Sequence, residues 1–199
     1  MKAKKIFISF AFFIITFSII NNSYSIEPDI FVQSTVNRAS QALDNKFSKK
    51  EKINKLKNIA RETVDIEGIG QYTLGSYRKK ITSNQKKEYS FLFEKYFLKS
   101  FASRLAEYSN PEIEVKSKKK INENYTMVSS TLISTEQRPE VKIDWRIYTK
   151  NPDNPLIRDL IIEGLSLART QKEEFSSILN SNNNDINILF LKLEEFISN

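Results

Sequence analysis

The side chains that carry most enzyme chemistry are absent from this sequence or are not grouped. The 199 residues include no histidine and no cysteine, which removes Ser-His catalysis, thiolate nucleophiles and the usual ligands of zinc, copper and iron. Acidic pairs occur at Glu173-Glu174 and Glu194-Glu195, but neighbouring acids on a helix point about 100° apart and usually form a solvated surface. A hydrolase that works through two carboxylates remains an alternative, although one tryptophan is too few for a sugar-binding cluster.

The glycine residues give no nucleotide site. The pair Gly68-Ile-Gly70 follows a helical pattern and lacks the third glycine of the dinucleotide fingerprint, and no phosphate loop of the Walker type is present. The sequence therefore predicts no catalytic residue, no metal and no cofactor.

The first 25 residues have the layout of an export signal. Three lysines among the first five residues precede an apolar run over 6–20, and Ser23-Tyr24-Ser25 supplies a small-x-small cleavage site. The run is shorter than the roughly 20 residues of a spanning helix, which disfavours a membrane anchor. We therefore predict a cleaved signal peptide over 1–25 and one soluble domain over 26–199. Because three of the chain's seven net positive charges are signal lysines, that domain carries about +4.

Two basic runs could bind an anionic partner. Arg78-Lys79-Lys80 is one, and Lys116, Lys118, Lys119 and Lys120 form the other. Export disfavours nucleic acid, so we expect the second run to dock a protein or attract lipid headgroups, an attraction that salt would weaken. The plain alternative is a solvated surface in a lysine-rich chain.

Helical spacing covers the first half of the exported domain. Apolar residues recur at steps of three and four over 32–47 and 53–64, and Ser48 with Glu51 matches a capping box. The segment 65–75 holds three of the four glycines and predicts a short or broken helix.

A long aromatic helix follows. Thr82 and Gln85 form another capping pattern at its start. Its repeating apolar face comprises Tyr89, Phe93, Phe97, Phe101, Leu105 and Tyr108.

Beyond residue 110 the apolar period changes to two, which predicts strands. The alternating segments are 113–115, 125–133, 141–148 and 156–163. Short connections between them favour antiparallel pairing, and helical spacing returns over 167–179 and 186–197. The predicted class is α+β, with helices packed on one face of a curved, mostly antiparallel sheet of about four strands.

The apolar surface exceeds what a single layer of helices needs to cover. In the strand 156–163, simple alternation places Leu160 and Ile162 on one face and Ile157 and Ile161 on the other. Ordinary core explains part of this excess, and an enclosed apolar pocket between sheet and helices explains the rest.

Four motifs follow one another along the chain. They are Val64-Asp-Ile-Glu-Gly-Ile-Gly-Gln-Tyr-Thr-Leu-Gly75, the aromatic helix introduced by Ile81-Thr82, Asp144-Trp-Arg146, and Asp159 with Glu163-Gly-Leu-Ser-Leu167 and Phe175. In this order they resemble the toluene-tolerance family of periplasmic phospholipid-binding proteins over about residues 30–197.

The resemblance implies a periplasmic carrier that performs no covalent reaction. Such a carrier holds one phospholipid with its tails between the sheet and the helices. It exchanges that lipid with an inner-membrane ABC transporter complex that contains an MCE domain and with an outer-membrane lipoprotein–porin complex. This exchange maintains lipid asymmetry, and we expect a monomer.

The expected pocket lining is a set of apolar side chains from the glycine-rich segment, the aromatic helix and the sheet. It consists of Ile69, Tyr72, Leu74, Phe93, Phe97, Phe101, Leu105, Val128, Leu132, Ile143, Trp145, Leu160 and Ile162. Gly68, Gly70 and Gly75 are the predicted hinge, and Asp159 is expected to be a structural acid in a salt bridge. A protein-interaction module of the same fold without a lipid is the main alternative.

Overall fold

The computed structural model describes residues 25–136 and 138–199, so the predicted signal peptide lies outside the described residues except for Ser25. Within them, the helical elements are α1 Pro28–Ala42, α2 Lys49–Thr63, α3 Ile66–Thr73, a 3₁₀ helix Gly75–Lys79, α4 Ser83–Leu105, α5 Leu167–Ser181 and α6 Ile186–Ser198. None of these described helices is both long enough and apolar enough to cross a membrane.

The strands form one antiparallel sheet in the order of the sequence. They are β1 Ile113–Asn122, β2 Tyr125–Leu132, β3 Val141–Tyr148, β4 Leu156–Ile162 and β5 Leu165–Ser166. The α+β class is confirmed, and the sheet is curved. It has a fifth strand because Glu163 and Gly164, both with positive φ, form a tight turn after β4. A strand of two residues is too short to give an alternating pattern.

Both predicted capping boxes are present. The Ser48 side chain accepts from the Glu51 amide while the Glu51 carboxylate accepts from the Ser48 amide. Thr82 and Gln85 make the same reciprocal pair at the start of α4. Each box satisfies two N–H groups that would otherwise lack a partner, so these helices begin where the local sequence dictates.

The helices cover one face of the sheet, which we call the inner face. α1 lies against β1 and β2, while α3 and α5 lie against β4. α4 makes its main backbone approaches to α2, α6 and α3. Phe93 of α4 belongs to the same buried cluster as Val128 and Trp145 of the middle strands.

A bulge in β4 changes which residues face the helices. Arg146 pairs with Asp159 but Ile147 pairs with Ile157, so Arg158 is an extra residue in β4. Opposed residues of an antiparallel pair share a face, and Ile157 therefore lies on the inner face with Leu160. The prediction that alternation holds throughout this strand was wrong, because a pattern of period two cannot reveal a bulge.

Asp159 ties β4 to the start of α5. It is 3% exposed, and its carboxylate accepts from Ser166 Oγ at 2.6 Å and from the Ala168 amide at 3.0 Å. The Arg146 guanidinium lies 3.4 Å away on the neighbouring strand. The expected structural salt bridge is thus part of a larger network, in which the Asp159 carboxylate also accepts a hydrogen bond from a backbone N–H at the N-terminus of α5.

Replacing Asp159 with alanine should destabilise the protein by about 2–4 kcal/mol, because buried donors lose their acceptor. Urea unfolding followed by circular dichroism measures the change. Glu123→Ala is the matched control, since this acid is exposed in the β1–β2 turn. Equal unfolding midpoints for the two variants would contradict the role assigned to Asp159.

Candidate functional site

Most of the expected pocket lining lies between α4 and the inner face of the sheet. Six of these residues are buried in the main core: Ile69, Leu74, Phe93, Val128, Ile143 and Trp145. Four more are half-buried against it: Phe97, Phe101, Leu132 and Leu160. In this structure all ten belong to or pack against one buried cluster, and the apolar pocket stays a prediction.

Of the other three members of the predicted lining, two lie elsewhere and one lies on the inner face outside the main core cluster. Tyr72 is on the exposed side of α3, beneath the Lys172 ammonium, which is 5.1 Å from its ring centroid. Leu105, at the end of α4, packs on a second cluster that includes Leu43 and Leu56. Ile162 is half-buried on the inner face opposite Ile143. The apolar pattern could not separate these positions, because it does not show which neighbours cover a face.

We call the apolar side chains between α4 and the inner face the apolar layer. The polar groups that lie within it are hydrogen-bonded. The Trp145 indole N–H donates to Ser130 Oγ at 2.8 Å, and Ser130 Oγ lies 3.2 Å from the Ile143 carbonyl oxygen. The hydroxyls of Tyr89 and Thr73 are 2.8 Å apart. Burial raises the pKa of the Tyr89 phenol well above its ordinary value, so this hydroxyl remains a neutral hydrogen-bond partner of Thr73.

The layer becomes less covered toward one end of the sheet. Ile113, Leu132 and Val141 form one cross-strand row and are all half-buried. Arg138, in the loop between β2 and β3, stacks on Tyr108 just beyond α4 at 4.6 Å, which brings the C-terminal part of α4 to this end.

α4 contributes a half-buried aromatic pair that packs against the same core cluster. Phe97 and Phe101 stack with centroids 5.6 Å apart, and both contact the main core. We call these two residues together with the row Ile113, Leu132 and Val141 the apolar mouth. Sequence reasoning omitted Ile113 and Val141 from the lining, and the signal that identifies them is their register with Leu132.

Close packing explains why two of the three predicted hinge positions are occupied by glycine. A Cβ on Gly70 would lie 2.8 Å from Phe93 Cδ1, and one on Gly68 would lie 2.6 Å from both the Arg158 guanidinium and the Asp65 carboxylate. Gly75 has φ +56° where α3 passes into the 3₁₀ helix, a backbone conformation that favours glycine. The hinge itself stays a prediction.

The predicted docking lysines lie on the edge strand β1. Lys116 pairs with Glu114, whereas Lys119 and Lys120 are exposed. The pairing of β1 with β2 shifts register twice, near Lys116 and near Ile121. Lysines and bulges on an edge strand discourage pairing with other chains. The presence of these lysines can therefore be explained without a docking partner, and docking stays a prediction.

Lys118 has a structural contact that the sequence did not indicate. Its ammonium pairs with Glu27 and, at 2.7 Å, with Asp29 at the start of α1. The hydrogen bond from Lys118 holds the pKa of Asp29 below its ordinary value, and the same bond raises the pKa of Lys118. The pair thus fastens the first turn of α1 to β1.

Two surface clefts are lined mainly by polar side chains. One, of about 440 Å³, lies at the start of α3 beside Asp65, Gly68, Tyr72 and Arg158. In it, the Arg158 guanidinium pairs with Asp65 and stacks on Tyr148 at 4.5 Å. The other, of about 590 Å³, follows the polar side of α5. Neither includes a residue of the apolar mouth.

Comparison with known proteins identifies the family. The family model described as MlaC protein matches residues 32–195, which covers the helices, the sheet and the apolar mouth. The chain belongs to the MlaC family. The family resemblance that the ordered motifs indicate is therefore confirmed.

Individual relatives agree with this assignment. The chain is 24% identical over 179 residues to the intermembrane phospholipid transport system binding protein MlaC of Haemophilus influenzae, covering 86% of this chain and 82% of that protein. It also matches the structure of a Ralstonia solanacearum phospholipid-binding protein in complex with a phospholipid. That match has a TM-score of 0.73 at 19% identity and covers 87% of this chain and 98% of the other. The shared fold spans almost the whole of that structure.

Gly70→Ala should destabilise the protein by about 1–3 kcal/mol, because the added methyl group overpacks the site against Phe93. Combining it with Phe93→Leu should recover part of the loss relative to the sum of the single changes, as a double-mutant cycle in urea would show. Additive effects would contradict the packing role. A loss of lipid exchange without loss of stability would favour the hinge.

Lys118→Gln should make stability less sensitive to acid. Because the folded-state pKa of Asp29 is lowered, its contribution is present above about pH 4 and is lost as pH falls through the lowered value. The unfolding midpoint should therefore fall less between pH 5 and pH 3 than in the unmodified protein. Lys119→Gln is the control on the same strand. Identical acid profiles for the two variants would contradict the effect.

Proposed function

We propose that this protein is a periplasmic phospholipid carrier that holds one lipid by its acyl chains between α4 and the inner face of the sheet. The observation that carries the proposal is the apolar mouth: five half-buried apolar side chains continuous with the core of an MlaC-family fold. The names of the two relatives, one a phospholipid transport binding protein and one bound to a phospholipid, support the same ligand class. The headgroup would remain in solvent.

In this structure the apolar side chains of α4 and of the inner face belong to or pack against one buried cluster. Loading a lipid would therefore require these side chains to move apart. The main backbone packing of α4 is with other helices, so side-chain contacts over the middle strands can part while the sheet's hydrogen bonds stay intact. Tails would then replace Phe97 and Phe101 as neighbours of Leu132 on the inner face. Such contacts are non-directional, which makes this replacement possible without unsatisfied polar groups.

The energetics suit transfer rather than storage. Burying a methylene gains about 0.8 kcal/mol, so two tails of about 16 carbons gain on the order of 25 kcal/mol relative to water. A bilayer offers nearly the same gain. Net transfer is thus close to balanced, and its direction must come from partners that favour the open or the closed layer.

The proposed partners are an inner-membrane MCE-domain ABC transporter complex and an outer-membrane lipoprotein–porin complex, with the carrier acting as a monomer between them. The intermembrane transport named for the Haemophilus relative supports two membrane destinations. ATP would be spent at the transporter, and the carrier itself would make and break no covalent bond.

The mature protein, purified from cells without detergent, should carry one phospholipid per chain. Native mass spectrometry measures the stoichiometry, and organic extraction identifies the headgroup and tails. A bare protein that stays bare after incubation with phospholipid vesicles would contradict the proposal and favour the protein-interaction module.

Two phenylalanines on α4 offer a matched test of the site. Phe101→Ala, at the apolar mouth, should lower lipid occupancy several-fold because an aromatic contact with the tails is lost. Phe91→Ala, at a position that is 58% exposed beneath Lys95 on α4, should retain full occupancy. Circular dichroism confirms that both variants fold. Equal occupancy in the two variants would place the lipid elsewhere.

A further inference from the structure

One row of side chains runs across the sheet from the core to the surface. Ser130, Ile143, Ile162 and Leu165 are paired in turn across β2, β3, β4 and β5. Opposed residues in antiparallel strands share a face, so all four lie on the inner face. Ser130 and Ile143 are buried, Ile162 is half-buried and Leu165 is 60% exposed. Coverage by the helices is thus lost progressively toward β5.

The exposed end of this row lies beside the apolar mouth. The Glu163 amide, in the β4–β5 turn, donates to the Lys142 carbonyl at 3.0 Å, and Lys142 follows Val141 of the mouth directly. A second exposed leucine, Leu167, begins α5 immediately after β5. The β4–β5 turn is therefore hydrogen-bonded to β3 next to the mouth, and the two exposed leucines follow that turn directly.

The β4–β5 turn holds Leu165 in this position through its backbone. Glu163 and Gly164 both adopt positive φ, and nothing lies within 4 Å of the position that a Cβ on Gly164 would occupy. At the base of the hairpin, Ser166 donates to the buried Asp159 carboxylate. The hairpin is thus anchored at its base while its tip and Leu165 stay in contact with solvent.

We propose that Leu165, with Ile162 behind it and Leu167 beside it, forms an apolar sill over which acyl chains enter and leave. This inference rests on the proposed carrier function and adds the route. In the loaded protein the sill touches the glycerol-proximal part of the tails, because the tail ends lie deeper along the row near Ile143. During transfer it shields methylene groups from water between the pocket and a bilayer, which lowers the barrier to exchange.

Transfer kinetics test the sill. The mature protein is loaded with a fluorescent phospholipid and mixed with phosphatidylcholine vesicles, and transfer is followed by dequenching. Leu165→Ser with Leu167→Ser should slow transfer by about tenfold. Leu191→Ser is the control, since Leu191 has nearly the same exposure, 58%, but lies on α6, and its transfer rate should match that of the unmodified protein.

Position is tested separately with a fluorophore on a single introduced cysteine, which is unique because the chain has none. A label at Leu165→Cys should be quenched more by bound phospholipid with a nitroxide at tail carbon 5 than at carbon 16. A label at Leu191→Cys should be quenched by neither.

The outcomes separate the sill from the carrier function. If mass spectrometry shows one bound lipid, unchanged transfer in the double serine variant together with an unquenched label at position 165 overturns the sill and leaves the carrier intact. If the unmodified protein binds no lipid, both proposals fail.

Discussion

The non-directional contact between the aromatic side chains of α4 and the inner face of the middle strands is the interaction on which the rest of this structure depends. The flanking helices share the same buried core through residues such as Val36 and Phe175. They have polar attachments as well: Lys118 fastens α1 to β1, and Asp159 fastens α5 to β4. The middle is left to apolar side chains such as Phe93 and Trp145. Because burial of apolar surface has no preferred geometry, acyl chains can take the place of side-chain contacts there while the polar attachments at the edges persist.

The sequence predicts the elements of this fold better than the relations between them. Capping boxes at Ser48 and Thr82 encode helix starts locally, and both are formed. The face of Ile157 depends on a bulge at Arg158, which arises from pairing with another strand. The surface position of Tyr72 depends likewise on what packs against α3. The face on which a residue lies and its exposure thus depend on the elements that pack against it, and they decide which apolar residues can line a pocket.

Non-directional core contacts also explain how this chain can share a fold with a protein of very different sequence. This chain shares its fold with the Ralstonia phospholipid-binding protein at 19% identity and a TM-score of 0.73. A core of non-directional contacts requires apolar side chains of suitable total volume rather than particular residues. If the proposed function holds, the apolar excess would serve a layer that is stable both when its own side chains pack together and when they pack around two acyl chains. Stability in both states favours half-buried residues such as Phe97 and Phe101 at its margin.

Fluorescence of Trp145 can show whether the lipid lies between α4 and the sheet, since Trp145 is the only tryptophan in the chain and lies on the inner face opposite Leu160. The mature protein would be loaded with one phospholipid carrying bromine at mid-tail, with loading verified by mass spectrometry, and compared with protein holding the unbrominated lipid. We expect the brominated tails to quench the emission of Trp145 strongly. Unquenched emission at full occupancy would place the lipid outside the layer between α4 and the sheet and would contradict the account.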